Sequence, residues 1–296
     1  MLKRDKLNKK LSVGHTDFTW DSEDGVKLYA QTWVPDNTPR GIINIIHGLG
    51  EHSGRYAPWA GKLAHSGYVV RSFDYRGHGR STGKRGHSKS YQHLLSDIGH
   101  FIEQGRTEYP DLPVFLYGQS LGGNLVLNYS IQHIHPAEGL IVTSPWLELT
   151  NKPSAILLSL VTFLSYLFPA MQVHNRVGLE DLSRDLRVVH SYKNDPLVHD
   201  RISLQLFRES YRAGLTASLS IYKINSPLLV MHGTDDRVTS CKATRKFVQN
   251  AGSKTQYSEW EGGYHELHND LDKDNVFENL VNWLDQYAQP VNKQNA

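Results

Sequence analysis

A serine stands between two glycines in the pentapeptide Gly118-Gln119-Ser120-Leu121-Gly122. A serine hydroxyl can attack a carbonyl carbon when the chain exposes it and a general base accepts its proton. A strand, a tight turn and a following helix provide that exposure, and they require small residues two positions before and after the serine. Gly118 and Gly122 occupy those positions. The spacing therefore predicts that Ser120 is a nucleophile.

The two flanks of this pentapeptide have the local patterns that such a turn needs. Val114–Tyr117 is a short apolar run that is typical of a buried strand, and Asn124–Ile131 has apolar residues at helical spacing. A glycine-serine-glycine pattern without these flanks is commonly an ordinary loop. The strand before it and the helix after it favour catalysis, provided that other segments supply a base and an acid.

The chain contains further apolar runs, each of which ends in glycine, polar or acidic residues. Each run is followed by a segment of helical character. This alternation is typical of a mostly parallel sheet with helices on its faces. The predicted parallel strands begin at Gly41, Tyr68, Pro113, Gly139 and Ser226, with a more polar edge strand from Thr255. An alternating stretch around Asp24-Gly25 predicts an antiparallel hairpin before them. We therefore expect an α/β fold in one domain, residues 1–296.

The loops after the last two predicted strands contain acids and histidines. Asp235 and Asp236 follow one strand, and His265 and His268 follow the next. Because ligands bind beyond the carboxyl ends of parallel strands, these loops are expected near Ser120. A histidine can take the serine proton when a carboxylate orients its ring. We select Asp236 as the acid and His265 as the base, while the residues alone leave Asp235 and His268 open.

The oxygen that becomes negative during attack needs backbone N–H donors. One donor is expected from Leu121, the residue after the nucleophile. The second is expected from the loop after an early strand, where His47, Gly48 and Leu49 follow an apolar run. We select the N–H of Leu49.

Composition excludes several other classes of protein. The net charge of +2 and the pI near 8.5 give no strong positive field, so we expect no nucleic acid partner. Sixteen histidines occur without cysteine pairs or a His-Glu-x-x-His helix, so we expect neither a metal nor a cofactor. The basic residues 1–10 are not followed by an apolar stretch, and Cys241 is the single cysteine. These features favour a cytoplasmic location.

Residues 146–202, here called the cap segment, interrupt the alternation of strands and helices with mostly helical sequence. Within it, Pro153–Val173 carries no charge and is about long enough to cross a bilayer. Its serines, threonines and internal Pro169 make it a poor membrane span. We expect a helical cap inserted in the domain, with an exposed apolar face that can contact a membrane peripherally, and keep a transmembrane helix as the alternative.

Over nearly all of its length, the chain resembles a known family, the monoacylglycerol lipase and lysophospholipase group of serine α/β-hydrolases. The matching motifs are HGLGEHSGRY from His47, DYRGHGRSTG from Asp74, GQSLGG from Gly118, NDPLV from Asn194, HGTDDRV from His232 and EGGYHELHND from Glu261. The long first motif is particularly specific.

The resemblance implies an α/β-hydrolase fold and a role for each matched position. It implies Ser120 as nucleophile, Asp236 rather than Asp235 as acid and His265 as base. It also implies Leu49 and Leu121 as the oxyanion donors, with no cofactor. In relatives the segment that corresponds to the cap is a mobile lid over the acyl chain.

The resemblance further implies an ester hydrolase that cleaves monoacylglycerols to fatty acid and glycerol through an acyl-enzyme. The alternatives are a lysophospholipase, a broad carboxylesterase and, less favoured, a serine aminopeptidase that would hold an amine with cap acids. Those acids are Glu180, Asp181 and Asp185. Candidate contacts for the polar head group are Glu51, His52, Arg55 and Tyr192, although a solvated surface position is the favoured interpretation for each of them.

Two positions qualify the resemblance. Gln119 stands where many relatives have histidine before the nucleophile, which is expected to change hydrogen bonds at the turn and not the chemistry. Cys241 lies near where relatives can carry a cysteine close to the site, but packing is the simpler interpretation.

Overall fold

The computed structural model describes residues 13–134 and 137–288, so the basic residues 1–10 lie outside the described part of the chain. Eight strands form one sheet in the order β1-β2-β4-β3-β5-β6-β9-β10, and β7 and β8 pair separately. The strands are β1 Gly14–Asp21, β2 Lys27–Val34, β3 Gly41–Ile46, β4 Tyr68–Asp74, β5 Val114–Gln119, β6 Gly139–Thr143, β7 Gln172–His174, β8 Arg201–Ser203, β9 Leu228–Gly233 and β10 Thr255–Trp260.

Eight α-helices and four short 3-10 helices connect these strands within the described residues. The α-helices are α1 Ala57–His65, α2 Tyr91–Glu108, α3 Leu121–Gln132, α4 Ala155–Leu167, α5 Leu186–Lys193, α6 Leu204–Ser220, α7 Cys241–Gln249 and α8 Lys273–Tyr287. The 3-10 helices are Ser53–Tyr56, Leu179–Asp181, Ile221–Lys223 and Leu267–Asn269.

The strand pairings follow from the hydrophobic pattern. Strands β3, β4, β5, β6 and β9 are buried along their whole length, and from β4 onward through the sheet order the pairs are parallel. Strand β10 pairs with β9 on one side only and is partly exposed, as its polar sequence predicts for an edge strand. The predicted hairpin is present, because β1 and β2 pair antiparallel across the Asp24-Gly25 turn. The predicted α/β-hydrolase fold is confirmed.

Each face of the sheet is covered by its own apolar layer. One layer includes Phe101 of α2 and Leu125 of α3, and the other includes Leu63 of α1 and Trp283 of α8. Because residues alternate between faces along a strand, neighbouring β3 residues Ile42 and Ile43 belong to different layers. The sheet is therefore held rigid from both sides, and the loops at its carboxyl edge are mounted on a packed base.

The cap segment, residues 146–202, follows β6 along the chain and is followed by α6 and then β9. It contains α4, β7 and α5, and β8 begins at its end. Helix α4 covers the central part of the uncharged Pro153–Val173 stretch, and only Ser165 in it is buried. No helix within residues 13–134 and 137–288 is both long enough and apolar enough to cross a bilayer.

Candidate active site

Ser120 occupies a sharp turn between β5 and α3. Its backbone angles are φ 54° and ψ −116°, a conformation that residues other than glycine rarely adopt. A methyl carbon added at Gly118 would lie 2.4 Å from the Gly122 oxygen, and one added at Gly122 would lie 2.0 Å from the oxygen of Ile46. Larger side chains at these two positions would clash with backbone, which explains the spacing seen in the sequence.

Asp236 and His265 form a buried hydrogen-bonded pair. His265 Nδ1 lies 2.8 Å from Asp236 Oδ2, and both side chains are almost fully buried. Since a carboxylate oxygen only accepts, His265 carries its proton on Nδ1 and leaves Nε2 free to accept another. The remaining oxygen, Asp236 Oδ1, accepts from the backbone N–H groups of Val238 and Thr239 at 2.8 and 3.0 Å.

The pair shifts the pKa of both partners. Burial alone would raise the pKa of Asp236, but the charge of His265 and hydrogen bonds from His232 and His265 lower it far below its usual range. Burial alone would lower the pKa of His265, and the Asp236 carboxylate more than offsets this, so the pKa of His265 is raised. The acid therefore stays ionised and the imidazole is made a stronger base.

The structure separates the two alternatives from this pair. Asp235 is exposed, whereas Asp236 is buried against His265. His268 lies in the 3-10 helix after the loop and stacks on Tyr56, with ring centroids 4.6 Å apart. Burial lowers the pKa of His268 to about 4. The geometry therefore brings Asp236 and His265 together, and it places Asp235 and His268 elsewhere.

In the loop after β3, hydrogen bonds fix the orientation of the peptide group that joins Gly48 and Leu49. Tyr75 Oη donates to the Gly48 oxygen at 2.6 Å, and the Gly48 N–H donates to Glu51 Oε1 at 2.6 Å. In a trans peptide the N–H points opposite to the C=O, so the Leu49 N–H points away from Tyr75. Leu49 lines the same cavity as Ser120. Leu121 is the first residue of α3, where helix N–H groups have no partner within the helix.

A buried charge network joins this loop to the histidine loop. Arg55 Nη1 lies 2.6 Å from Glu51 Oε2, and the two terminal nitrogens of Arg55 each lie 2.7 Å from an oxygen of Glu266. Arg55 also lies over the ring of Tyr192 in α5, 4.5 Å from its centroid. Sequence reasoning named Glu51, Arg55 and Tyr192 only as possible head-group contacts and gave Glu266 no role. The surface interpretation is wrong for Glu51, His52 and Tyr192, which are buried, and for Arg55, whose side chain is covered and paired with two carboxylates.

Several of these groups line one cavity of about 70 Å³. The polar side chains that line it include Ser120, His265, Glu51 and Glu266. The apolar part of its wall consists of Leu49, Trp146, Leu149, Val177, Leu182, Ile202, Phe207 and Val238. His52 and Arg55 line a different cavity. The cavity lined by Ser120, here called the inner cavity, is therefore a mostly apolar pocket with a few polar groups, a type of cavity that commonly binds small ligands.

A second, wider cavity lies outside the first and opens to solvent. It shares Leu149, Val177, Ile202 and Phe207 with the inner cavity, so the two are contiguous. Leu157 of α4 also lines this outer cavity. An apolar path therefore runs from Ser120 to the exposed helix of the cap segment.

Gln119 and Cys241 have modest roles in this geometry. The Gln119 side-chain nitrogen lies 3.4 Å from the His265 backbone oxygen, so it contacts the histidine loop where many relatives carry histidine. Cys241 begins α7, and its sulfur lies 3.6 Å from Tyr257 Oη. Burial raises the pKa of the Cys241 thiol, and the residue does not line the inner cavity.

Comparison with known proteins gives one family over most of the chain. The family described as "Serine aminopeptidase, S33" matches residues 37–272. A monoacylglycerol lipase of Mycolicibacterium smegmatis is 30% identical over 276 residues, which cover 93% of this chain and 98% of the relative. An uncharacterized abhydrolase domain-containing protein of Dictyostelium discoideum is 37% identical over 267 residues, which cover 89% of this chain and 28% of the relative.

A solved structure gives the same picture. The crystal structure of Paleococcus ferrophilus monoacylglycerol lipase superposes with a TM-score of 0.80 at 30% sequence identity, and the match covers 93% of this chain and 99% of that one. The similarity therefore extends through the sheet, its connecting loops and the cap segment, and is not restricted to the serine turn.

Proposed function

Because the chain belongs to the serine aminopeptidase S33 family of hydrolases, we propose that it is a serine ester hydrolase that cleaves monoacylglycerols. The observation that carries this proposal is the strained turn at Ser120, which lines a mostly apolar cavity together with His265, the histidine that is bound to the buried Asp236. Two relatives that each match 93% of the chain, from Mycolicibacterium smegmatis and Paleococcus ferrophilus, are monoacylglycerol lipases by name.

In the first half of the proposed reaction, Ser120 Oγ attacks the ester carbonyl carbon and its proton passes to His265 Nε2. The carbonyl oxygen becomes negative and accepts hydrogen bonds from the Leu49 and Leu121 N–H groups. Asp236 stabilises the protonated imidazole and holds its ring. The bond between the carbonyl carbon and the alcohol oxygen then breaks, and glycerol leaves with the proton from Nε2.

In the second half, a water molecule attacks the acyl carbon while Nε2 of His265 takes one of its protons. The bond to Ser120 Oγ breaks, the proton returns to that oxygen, and a fatty acid leaves. Every step uses the same three side chains and the same two N–H groups, so the enzyme returns to its starting state without an added reactant besides water.

The substrate class follows from the shape of the two cavities. A single acyl chain fits the apolar path past Leu149 and Phe207 toward α4, while the small polar head group lies near Glu51. The exposed apolar residues of α4 include Ile156, at 84% exposure, and Phe163, at 61%. We infer that this face of the cap segment, the proposed lid, contacts lipid surfaces peripherally and receives substrate from them.

The cap acids give little support to an aminopeptidase. Asp185 caps α5 and pairs with Arg187, Asp181 lies 3.4 Å from Arg237 at the outer cavity, and Glu180 lines neither cavity. A substrate amine would need an uncompensated carboxylate beside Ser120. We therefore favour an ester with an uncharged or zwitterionic head group.

The test is hydrolysis of monoacylglycerols, lysophospholipids, short nitrophenyl esters and aminoacyl nitroanilides by the protein and by Ser120→Ala. We expect monoacylglycerols to react fastest and Ser120→Ala to remove all activity. Ser130→Ala is the matched control, because Ser130 lies buried in α3 on the same helix and bonds only to the Val126 oxygen. If lysophospholipids or nitroanilides are turned over faster than monoacylglycerols, the proposed substrate class is wrong. Residual activity in Ser120→Ala would exclude Ser120 as the nucleophile.

A further inference from the structure

A second histidine contacts the acid of the proposed triad. His232 lies at the end of β9 and is fully buried. Its Nε2 atom lies 3.0 Å from Asp236 Oδ2 and 3.1 Å from the backbone oxygen of Thr239. Asp236 Oδ2 therefore has imidazole nitrogens on two sides, since His265 Nδ1 lies 2.8 Å from the same atom.

The hydrogen-bond partners determine the protonation of His232. Both neighbours of Nε2 are oxygens that only accept here, so Nε2 carries a proton. Nδ1 lies 2.9 Å from Thr244 Oγ1 in α7, and a threonine hydroxyl can donate to an unprotonated ring nitrogen. A neutral ring with its proton on Nε2 satisfies the contacts of both nitrogens. Thr244 then donates to Nδ1 of His232, and Nε2 of His232 donates to Asp236.

The loop that carries the acid is held at its two ends by these contacts. Residues 234–239, here called the acid loop, begin directly after β9, and Thr239 ends the loop. Thr239 Oγ1 lies 2.9 Å from both Asp236 Oδ2 and the oxygen of Ser144, which itself has a positive φ of 43°. His232 thus contacts the carboxylate and the far end of the loop at once, from a strand that is buried along its whole length.

We propose that His232 is a positioning residue that holds Asp236 Oδ2 in line with His265 and shares the negative charge of the carboxylate with it. The proposal rests on the proposed function of Ser120, Asp236 and His265. It assigns His232 no contact with substrate. Outer partners that orient a reacting side chain commonly change activity by roughly tenfold or more when they are removed.

Removal of the His232 donor leaves His265 Nδ1 and Thr239 Oγ1 as the side-chain donors to Asp236 Oδ2, so the carboxylate attracts the His265 proton more strongly. The titratable groups that face His265 are Glu51 and Glu266, which both pair with Arg55, and His268, whose pKa burial lowers to about 4. Beyond them, Cys241 contacts Tyr257 and Glu259 pairs with Arg245. The pH at which kcat/KM falls on the acid side should therefore move upward in His232→Leu, by roughly half a unit to one unit.

The experiment compares His232→Leu, His232→Gln and Thr244→Val by the pH dependence of kcat/KM on a short nitrophenyl ester. We expect His232→Leu to show the upward shift and a roughly tenfold lower plateau. His232→Gln, whose side-chain amide can donate to Asp236, should show most of the wild-type plateau of kcat/KM and most of the wild-type pH profile. Thr244→Val, which keeps His232 and the packing volume, should shift the profile in the same direction by less. Superimposable profiles for wild type and His232→Leu, or no recovery with Gln, would overturn the proposal.

A second measurement needs neither turnover nor a stable variant. Nitrogen chemical shifts of the imidazoles in the wild-type protein at pH 7 should place the His232 proton on Nε2, with Nδ1 unprotonated. A proton on Nδ1 alone would overturn the proposal whatever the kinetics show. Activity that survives in Ser120→Ala would instead overturn the proposed function, so the two failures are distinguishable.

Discussion

Arg55 and Glu266 form a two-pronged ion pair across 211 positions of the chain, with both nitrogen–oxygen distances at 2.7 Å. Arg55 belongs to the 3-10 helix that follows the Leu49 loop, and Glu266 directly follows His265. Since Arg55 also pairs with Glu51, one buried cation contacts two buried carboxylates. The loops that carry Leu49 and His265 are thereby held against each other.

Arg55→Met should destabilise the protein strongly, because it leaves Glu51 and Glu266 buried without their cation. Loss of one partner of a buried pair commonly costs about 3–5 kcal/mol. The control is Arg245→Met, because Arg245 forms a similar two-pronged pair with Glu259 on the surface, where such pairs contribute less than about 1 kcal/mol. Urea unfolding at pH 7.5 measures both, and equal losses in the two variants would contradict the buried-network interpretation.

The activity should require an ionised Asp236 and a neutral His265. Because the pKa of His265 is raised, kcat/KM should fall as the pH drops through a midpoint above about 6.5. Asp236→Asn should lower kcat by roughly 10⁴, while Asp235→Asn, the exposed neighbour, should match wild type. The pH profile of a short ester checks the first statement, and the paired variants check the second. A strong loss in Asp235→Asn would reassign the acid.

Gly122→Ala should impair both folding and activity. Its methyl group would lie 2.0 Å from the Ile46 oxygen and 2.6 Å from the His47 oxygen, so β3 or the serine turn must shift, at a cost of about 1–3 kcal/mol. Gly61→Ala is the matched control, because Gly61 lies in α1 with nothing within 4 Å of the added carbon. That change should stabilise by about 0.5–1 kcal/mol. Melting temperatures and ester turnover of both variants provide the check.

Four histidines, of which His47, His78 and His268 are buried and His199 is half-buried, should make the protein less stable as the pH falls below 7. Burial lowers the pKa of His47 to about 3 and those of His199 and His268 to about 4, and it lowers that of His78 well below its usual value. The unfolded chain binds protons near pH 6.5 while these folded groups do not, so their stabilisation is complete above pH 6.5 and is lost below it. His265, with a raised pKa, acts in the opposite direction.

Urea unfolding between pH 7.5 and 5.5 measures this dependence, and Glu266, with its pKa lowered to about 2, does not titrate in this window in the folded state. Burial raises the pKa values of Glu51 and Asp97, so these two carboxylates act in the opposite direction to the four histidines. His199→Gln should make the dependence shallower, because its amide can still donate to the Gly77 oxygen that His199 contacts at 3.2 Å. A pH dependence unchanged from wild type in this variant would remove His199 from the set.

The apolar face of α4 should bind lipid vesicles. Phe163→Ser should weaken binding to phosphatidylcholine vesicles by roughly tenfold, because a large apolar side chain loses its burial in the lipid surface. Turnover of a soluble short ester should stay unchanged. Leu219→Ser is the control, since Leu219 is 79% exposed on α6, outside the cap segment. Equal vesicle binding by both variants would exclude α4 as the contact.

The sequence by itself determined the elements and the chemical types of the site. Buried parallel strands are continuous apolar runs, and the strained turn at Ser120 needs glycines at fixed offsets, so both are local patterns that a single sequence displays. The same local logic placed Asp236 and His265 in loops at one edge of the sheet. It could not separate Asp235 from Asp236 without the family resemblance, because adjacent residues share almost the same local pattern.

Only the tertiary structure decided which groups touch. The pairs of Arg55 with Glu266 and of His232 with Asp236 and Thr244 depend on how the loops and α7 pack at the ends of β3, β9 and β10. The sequence pattern assigned Arg55 and Glu51 no buried role, because a charged residue is usually solvated unless a partner from a distant segment compensates it. Such compensation is a property of the folded neighbourhood, and no periodicity or spacing along the chain encodes it.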